Sequence, residues 1–205
     1  MILGIETSTP RATLVLRDLA TGTIVWRREF TTDRAHNAVI FSPLEEMLDQ
    51  YRSELSGIVV GLGPGSYSGI RVGIAVANGL GLALGIPTVG VSSLEAWDVD
   101  ADSHVILGDA RRRSFFVAEV ADRTLIDEPQ LIDADKIEAA LSPLRDRGLQ
   151  CFTADRRVTE MVENVELAFP LAERLPLTSP ENWPANVPLE PHYLRAPYIT
   201  MPKKR

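Results

Sequence analysis

The segment from Val60 to Leu84, VGLGPGSYSGIRVGIAVANGLGLAL, constrains the fold more than any other part of the chain. Its first residues belong to a β-branched run at residues 58–62, which predicts a short buried strand. The strand breaks at Gly63-Pro64-Gly65, because glycine permits backbone angles that other residues avoid. From Gly69 the apolar residues continue long enough to require a helix. The sequence therefore predicts a strand, a tight glycine turn and a helix in direct succession.

Small residues recur at every fourth position of this predicted helix, so they share one face. They are Gly69, Gly73, Ala77, Gly81 and Gly85. Each glycine costs about 1 kcal/mol of helix propensity relative to alanine, so the stripe indicates a helix built for close packing. The surface that it packs against is either the chain's own sheet or another chain.

The glycine turn does not match the common phosphate-binding or catalytic motifs. Its glycines follow G-x-G-x-x-x-G, one residue longer than the dinucleotide fingerprint, and a P-loop is excluded because no lysine precedes Lys136. Tyr67 stands where a hydrolase nucleophile elbow requires serine. Two interpretations stay open: a tight turn that binds nothing, and an anion site formed by N–H groups at the helix N-terminus.

Residues 72–94 carry no charge and satisfy a crude length test for a membrane span. Asn78 and the turn at residues 85–87 instead favour a fully buried helix followed by a strand at residues 88–91. Met1 leads directly into a strand-like run, so no signal sequence is expected. We therefore expect a cytoplasmic chain without a membrane partner.

Composition limits the remaining function classes. The single cysteine, Cys151, excludes an internal disulfide, and its apolar setting predicts a core thiol. The net charge of −7 argues against strong autonomous binding to nucleic acid. Two basic clusters, at residues 111–113 and 203–205, are the first places to look for a phosphate contact, although such clusters are also common on solvated surfaces.

The order of elements predicts an α/β protein with two lobes. Three strands at residues 1–7, 12–16 and 24–30 form a meander. A helix that begins near Ser42, the strand–turn–helix segment and a final strand complete a βββαβαβ lobe over residues 1–99. A smaller lobe over residues 100–205 is predicted to contain a hairpin (104–107 and 115–120), helices at 134–147 and 159–164, and a strand at 150–153. The proline-rich tail after Pro170 is expected to be extended and anchored by Trp183 and Tyr193-Leu194.

Candidate chemistry is sparse. The three histidines, at positions 36, 104 and 192, are too far apart in sequence for a metal motif, so no metal is expected. Glu6, Thr7 and Ser8 follow the first strand, where a carboxylate beside hydroxyls suits phosphate and metal binding. Asp109 would be the matching carboxylate of the second lobe. An ordinary capped turn and an ordinary loop aspartate explain the same residues.

The order of these motifs resembles the TsaB (YeaZ) family over nearly the whole chain. The resemblance is carried by Glu6-Thr7-Ser8, His36-Asn37, the segment from Gly63 to Gly73, Gly90-Val91-Ser92-Ser93-Leu94, Asp109-Ala110-Arg111 and Tyr193-Leu194-Arg195. The family's first motif commonly begins with aspartate, and here it begins with glutamate, which weakens the case for an active phosphate site.

The resemblance implies an actin-like, Hsp70-like two-lobe fold without catalytic activity or a cofactor of its own. Family members partner the catalytic paralogue TsaD in forming N6-threonylcarbamoyladenosine at position 37 of ANN-decoding tRNAs. The ATPase TsaE joins them, tRNA is reached only through the complex, and the isolated subunit can form a homodimer. The residues implied at the partner interface are Phe41, Leu44, Leu48, Gly69, Val72, Gly73, Val76, Ala77, Leu80 and Gly81. The alternatives are an autonomous actin-like small-molecule kinase or ATPase that uses Glu6 and Asp109, and a metalloprotease, which the missing metal ligands disfavour.

Overall fold

Two five-stranded arrangements with the same strand order form the framework of the computed structural model, which describes residues 1–31, 39–176, 180–183 and 187–194. The strands are β1 (Ile2–Glu6), β2 (Arg11–Arg17), β3 (Ile24–Thr31), β4 (Gly57–Gly61), β5 (Thr88–Val91), β6 (Ser103–Asp109), β7 (Ser114–Ala121), β8 (Thr124–Leu125), β9 (Gln130–Asp133), β10 (Gln150–Thr153) and β11 (Val165–Leu167). The helices are α1 (Phe41–Tyr51), α2 (Tyr67–Leu84), α3 (Ile137–Asp146) and α4 (Arg156–Met161).

The first sheet has the order β3-β2-β1-β4-β5, in which the first three strands are antiparallel and the last two join in parallel. The second sheet contains the order β9-β7-β6-β10-β11, in which the first three strands are again antiparallel and the last two again join in parallel. Strand β8 is an additional partner of β7. The two lobes therefore repeat one topology. No repeat is detectable in the amino-acid sequence, because the repeat lies in strand order and not in residue identity.

Both faces of each sheet are covered, as an α/β fold requires. On one face of the first sheet, Leu3, Ile5 and Val60 pack with the apolar sides of α1 and α2. On the other face the chain's own C-terminal segment supplies the cover, which is formed by Ala172, Leu175 and Trp183 packed with Ile2, Val15 and Val59. Ala172, Leu175 and Trp183, assigned by sequence to the second lobe, thus complete the core of the first.

The predicted α/β fold with a βββαβαβ first lobe is confirmed, with element ends shifted by a few residues. In the second lobe the hairpin and the strand at 150–153 are confirmed. The short helix predicted at 159–164 lies instead at Arg156–Met161, where Asp155 accepts a hydrogen bond from the Arg157 N–H at 2.9 Å and fixes its start. Strand β11 was not predicted.

The tail anchors are also confirmed. Trp183 is buried beside Gly57 and Ile2, and Tyr193 stacks on Tyr67 with ring centroids 5.6 Å apart. Leu194 packs in the cluster on one face of the second sheet. The sequence motifs at residues 36–37 and at Arg195, and the basic cluster at 203–205, lie outside the described residues.

Candidate functional site: a closed turn and an exposed helix face

The turn after β1 holds the carboxylate that the sequence singled out. Glu6 is fully buried at the end of β1, and Thr7 and Ser8 beside it are buried as well. One carboxyl oxygen of Glu6, Oε1, accepts a hydrogen bond from the Ser8 N–H at 2.7 Å, and Oε2 is buried without a partner among the described residues. The group is thus part of the protein interior, and solvent does not reach it.

The glycine loop before α2 closes over this turn. The Ser66 N–H donates to the Ser8 carbonyl at 2.6 Å, and the Thr7 hydroxyl donates to the Gly69 carbonyl at 2.8 Å. A Cβ on Gly65 would lie far inside van der Waals contact with the Ser8 carbonyl oxygen. The glycines therefore allow two backbones to touch, and a phosphate group would have to part these two segments to reach the turn.

The surroundings of Glu6 favour its neutral form. Gly61 makes room for the carboxyl group, since a Cβ there would overlap Oε2 and would lie 2.6 Å from the Ser93 hydroxyl. Burial raises the pKa of Glu6 above its usual value, and the hydrogen bond from the Ser8 N–H to Oε1 offsets only part of this effect. An enclosed carboxyl group whose charged form is disfavoured by burial is poorly suited to hold a metal ion or to act as a phosphate-site carboxylate.

We expect Glu6→Gln to stabilise the fold at neutral pH. Below the pKa of Glu6 in the unfolded chain, about 4.3, the carboxyl group is neutral in both states and does not reduce the stability of the fold. As the pH rises from there toward the raised pKa of the folded state, the free energy of unfolding falls, by about 1.4 kcal/mol for each unit that separates the two pKa values. Glutamine does not carry this penalty. Thermal unfolding from pH 4 to pH 8 should therefore show a higher midpoint for the variant at pH 7 and a smaller difference at pH 4.

The matched control is Glu128→Gln, which makes the same change at an exposed residue and should leave the midpoint nearly unchanged at every pH. A Glu6→Gln variant that is less stable than the wild type at pH 7 would show that the folded state requires the charged carboxylate.

The second-lobe carboxylate is engaged within its own loop. Asp109 ends β6, accepts a hydrogen bond from the Arg111 N–H at 2.7 Å and forms an ion pair with the Arg111 side chain at 3.2 Å. These contacts make it the capping group of the β6–β7 loop. The structure therefore gives Glu6 and Asp109 separate local roles.

The remaining candidates for chemistry lie in the core. Within the described ranges no group of three metal-ligating side chains occurs. His104 is buried, and burial lowers its pKa. The prediction of a core thiol at Cys151 is confirmed, since the residue is buried and burial raises its pKa.

The small-residue stripe of α2 faces the chain's own sheet. A Cβ on Gly69 would overlap the Thr7 carbonyl oxygen, one on Gly73 would lie 2.5 Å from the Thr7 hydroxyl, and one on Gly81 would lie 2.5 Å from Thr88. Ala77 is fully buried, and Gly85 ends the helix in a left-handed conformation at φ 67°. The sequence left open whether the stripe packs against the chain's own sheet or against another chain. In the structure it packs against the chain's own sheet.

This packing bears on the implied partner interface, which stays a prediction. Six of its ten residues are buried in the chain itself: Leu44, Gly69, Gly73, Val76, Ala77 and Gly81. The other four are at least partly exposed: Phe41, Leu48, Val72 and Leu80.

The opposite face of α2 is exposed, so the expectation of a fully buried helix is wrong. Leu82 is 88% exposed, and Ala75, Gly79 and Ala83 are exposed near it on the same side. By length and composition Tyr67–Leu84 is the one helix in the described part of the chain that could cross a membrane, with 39% of it buried. The helix packs one face on the sheet and leaves an apolar face uncovered.

An aromatic cluster lies at the start of α2 and was not predicted from the sequence. The Arg71 guanidinium donates to the Tyr67 hydroxyl at 2.7 Å and lies over its ring, and Tyr193 stacks on the same ring. The four-residue spacing of Tyr67 and Arg71 was an available signal, because such residues are neighbours on a helix. Nothing in the sequence indicated that a residue 126 positions away would complete the cluster.

Comparison with known proteins identifies the family. The profile of the family described as TsaD: tRNA N6-adenosine threonylcarbamoyltransferase matches residues 30–160, more than half of the chain. The chain is 31% identical over 151 residues to the tRNA threonylcarbamoyladenosine biosynthesis protein TsaB of Escherichia coli, covering 69% of this chain and 62% of that protein. The chain belongs to this family and is a TsaB (YeaZ) relative. The predicted resemblance is confirmed.

A second TsaB relative agrees with this assignment, and a solved structure shares the fold. The Bacillus subtilis TsaB protein is 36% identical over 97 residues, covering 46% of this chain and 42% of that protein. A Pseudomonas aeruginosa structure described as similar to the peptidase YEAZ has the same fold, with a TM-score of 0.69, 21% identity and coverage of 95% of this chain and 99% of that one. The chain spans between about a fifth and three fifths of the length of the curated relatives that it matches.

Proposed function

We propose that this TsaB relative is a non-catalytic scaffold subunit that partners a TsaD-like catalytic paralogue in N6-threonylcarbamoylation of adenosine 37 of ANN-decoding tRNAs. The observation that carries the proposal is the exposed apolar face of α2. An uncovered apolar helix face is typical of a surface that another protein covers. The E. coli relative is named as a tRNA threonylcarbamoyladenosine biosynthesis protein, which suggests the reaction.

The partner surface that we propose combines the exposed side of α2 with the start of α1. The most exposed aliphatic residue of this surface is Leu82 on α2, which is 88% exposed. Its most exposed aromatic residue is Phe41 on α1, which is 60% exposed. The cluster of Tyr67, Arg71 and Tyr193 borders a cleft of about 430 Å³ on the same helix. Tyrosine and arginine are enriched at interfaces, so the composition suits a protein partner.

The closed turn at Glu6 supports the non-catalytic role. A phosphotransferase of this architecture would need access to the loop after β1, and here the glycine loop covers Thr7 and Ser8. The alternative of an autonomous kinase or ATPase is therefore disfavoured. We further propose that a TsaE-like ATPase joins the complex, that tRNA is reached only through it, and that all of this takes place in the cytoplasm.

Reconstitution tests the proposal. We expect no threonylcarbamoylated tRNA from this chain alone, and product only when the chain is combined with the catalytic paralogue, the ATPase, threonylcarbamoyl-AMP and an ANN-decoding tRNA transcript. Leaving this chain out should abolish most of the product. Mass spectrometry of the digested tRNA measures the modified nucleoside.

The competing kinase or ATPase is tested with the isolated chain. Calorimetric titration with ATP and magnesium should show no binding, and ATP should not be hydrolysed. Robust ATP turnover by the chain alone, abolished by Glu6→Ala, would contradict the scaffold role.

A further inference from the structure

The loop between β6 and β7 places three consecutive arginines in an unusual backbone conformation. Arg111, Arg112 and Arg113 have φ angles of 64°, 53° and 58°. This left-handed region disfavours residues with a Cβ, and glycine, asparagine or aspartate adopts it more readily. Stability alone would not place arginine at all three positions, so the side chains themselves require an explanation.

The next turn of the chain offers an internal comparison. Asp122 and Arg123, between β7 and β8, also have positive φ angles, of 48° and 61°. Two such residues are what a tight hairpin turn needs, because its backbone must match the twist of the flanking strands. The four-residue connection from β6 to β7 is commonly built around a type I turn, which needs no run of three positive angles.

Hydrogen bonds hold the arginine loop in place. The Arg111 N–H donates to the Asp109 carboxylate at 2.7 Å, and the Ser114 hydroxyl donates to the Arg111 carbonyl at 2.8 Å. The Ala134 N–H donates to the Arg113 carbonyl at 2.9 Å, which ties the loop to the end of β9. The backbone is therefore ordered before any ligand arrives, which lowers the entropic cost of binding.

The loop is a local concentration of positive charge on a chain whose net charge is −7. All three arginines are exposed, and the Arg111 side chain is 82% exposed although it pairs with Asp109. The nearby carboxylate of Asp133 pairs with Lys136 at 3.5 Å. Guanidinium groups match phosphate oxygens in geometry and charge, so an ordered set of three suits a chain of phosphates.

We propose that the loop of Arg111, Arg112 and Arg113 binds the phosphate backbone of the RNA substrate when the chain is assembled with its catalytic partner. This inference rests on the proposed function, which supplies the RNA. The loop contributes affinity and positioning without reading bases, because phosphate contacts carry no sequence information. The isolated chain binds RNA weakly, since a single loop offers few contacts against an overall negative charge.

The test measures the affinity of the assembled complex for an unmodified tRNA transcript at several salt concentrations. The variant Arg111→Asn/Arg112→Asn/Arg113→Asn removes the charges while asparagine tolerates the left-handed backbone. Each phosphate contact contributes about 0.9 to the slope of log affinity against log salt, so we expect the slope to fall by about two to three and the affinity to fall on the order of tenfold at 0.1 M salt. Binding to the paralogue and the thermal midpoint should not decrease.

Two further variants sharpen the result. Arg156→Gln/Arg157→Gln changes an exposed arginine pair on α4 and should leave the slope unchanged. Arg111→Lys/Arg112→Lys/Arg113→Lys keeps the charges and should keep most of the slope. An unchanged slope for the asparagine variant, or an equal loss in the α4 variant, would overturn the proposal. Failure of the wild-type proteins to assemble would overturn the proposed function instead.

Discussion

Gly69→Ala is expected to destabilise the fold by about 2–3 kcal/mol, although alanine is the better helix former by about 1 kcal/mol. The reason is that the new Cβ would overlap the carbonyl oxygen of Thr7. That oxygen belongs to a buried backbone turn, which cannot rotate away as a flexible side chain would. Thermal unfolding should show a midpoint lower by roughly 5–10 °C for a chain of this size.

The same helix provides the matched control for Gly69→Ala. Gly79 has open space where a Cβ would be added, so Gly79→Ala should raise stability by up to about 1 kcal/mol. If Gly69→Ala lowers the stability and Gly79→Ala raises it, then Gly69 lies on the packed face of α2 and Gly79 on the free face. Equal effects at both positions would contradict the close approach of α2 to the turn after β1.

Leu82→Glu is expected to weaken binding of the TsaD-like partner by roughly thirtyfold or more, about 2 kcal/mol, while the fold stays intact. Leu82 is 88% exposed, so the isolated chain loses little packing when it is replaced. In a complex that covers α2, the glutamate would be buried without a counter-charge. Calorimetry or surface-based binding assays with the purified paralogue measure the effect, and circular dichroism checks the fold.

Met161→Glu is the control for general effects of a new acid. Met161 is 65% exposed on α4 in the second lobe, so the substitution matches Leu82→Glu in chemistry and exposure but not in place. It should bind the paralogue like the wild type. If Leu82→Glu also binds normally, the partner interface does not include this part of α2.

The first lobe could be predicted from sequence because local signals there agree with each other. The strand at Gly57–Gly61 has an apolar β-branched pattern, Ser66 accepts a hydrogen bond from the Gly69 N–H at the start of α2, and Gly85 ends that helix. The second lobe was less predictable. Strand β11 has three residues and depends on pairing with β10, which no local pattern encodes.

The face that the stripe of α2 packs against could not be predicted, because periodicity shows that residues share a face without showing what covers it. The structure resolves this through Thr7 and Thr88, which occupy the space beside Gly73 and Gly81. The same limit applies to the candidate site. Sequence placed Glu6 beside two hydroxyl residues, but its burial depends on Ser93 and Gly61, which lie far along the chain.

The return of the C-terminal segment to the first sheet has a consequence for synthesis on the ribosome. The Ala172 N–H donates to the Thr13 hydroxyl at 2.7 Å across 159 residues, and Trp183 covers Ile2 and Gly57. Until that segment emerges, one apolar face of the first sheet has no cover, although its five strands have already been made. The nascent first lobe therefore cannot finish folding as an independent unit, and the contacts that complete its core form late, only after Trp183 has left the exit tunnel.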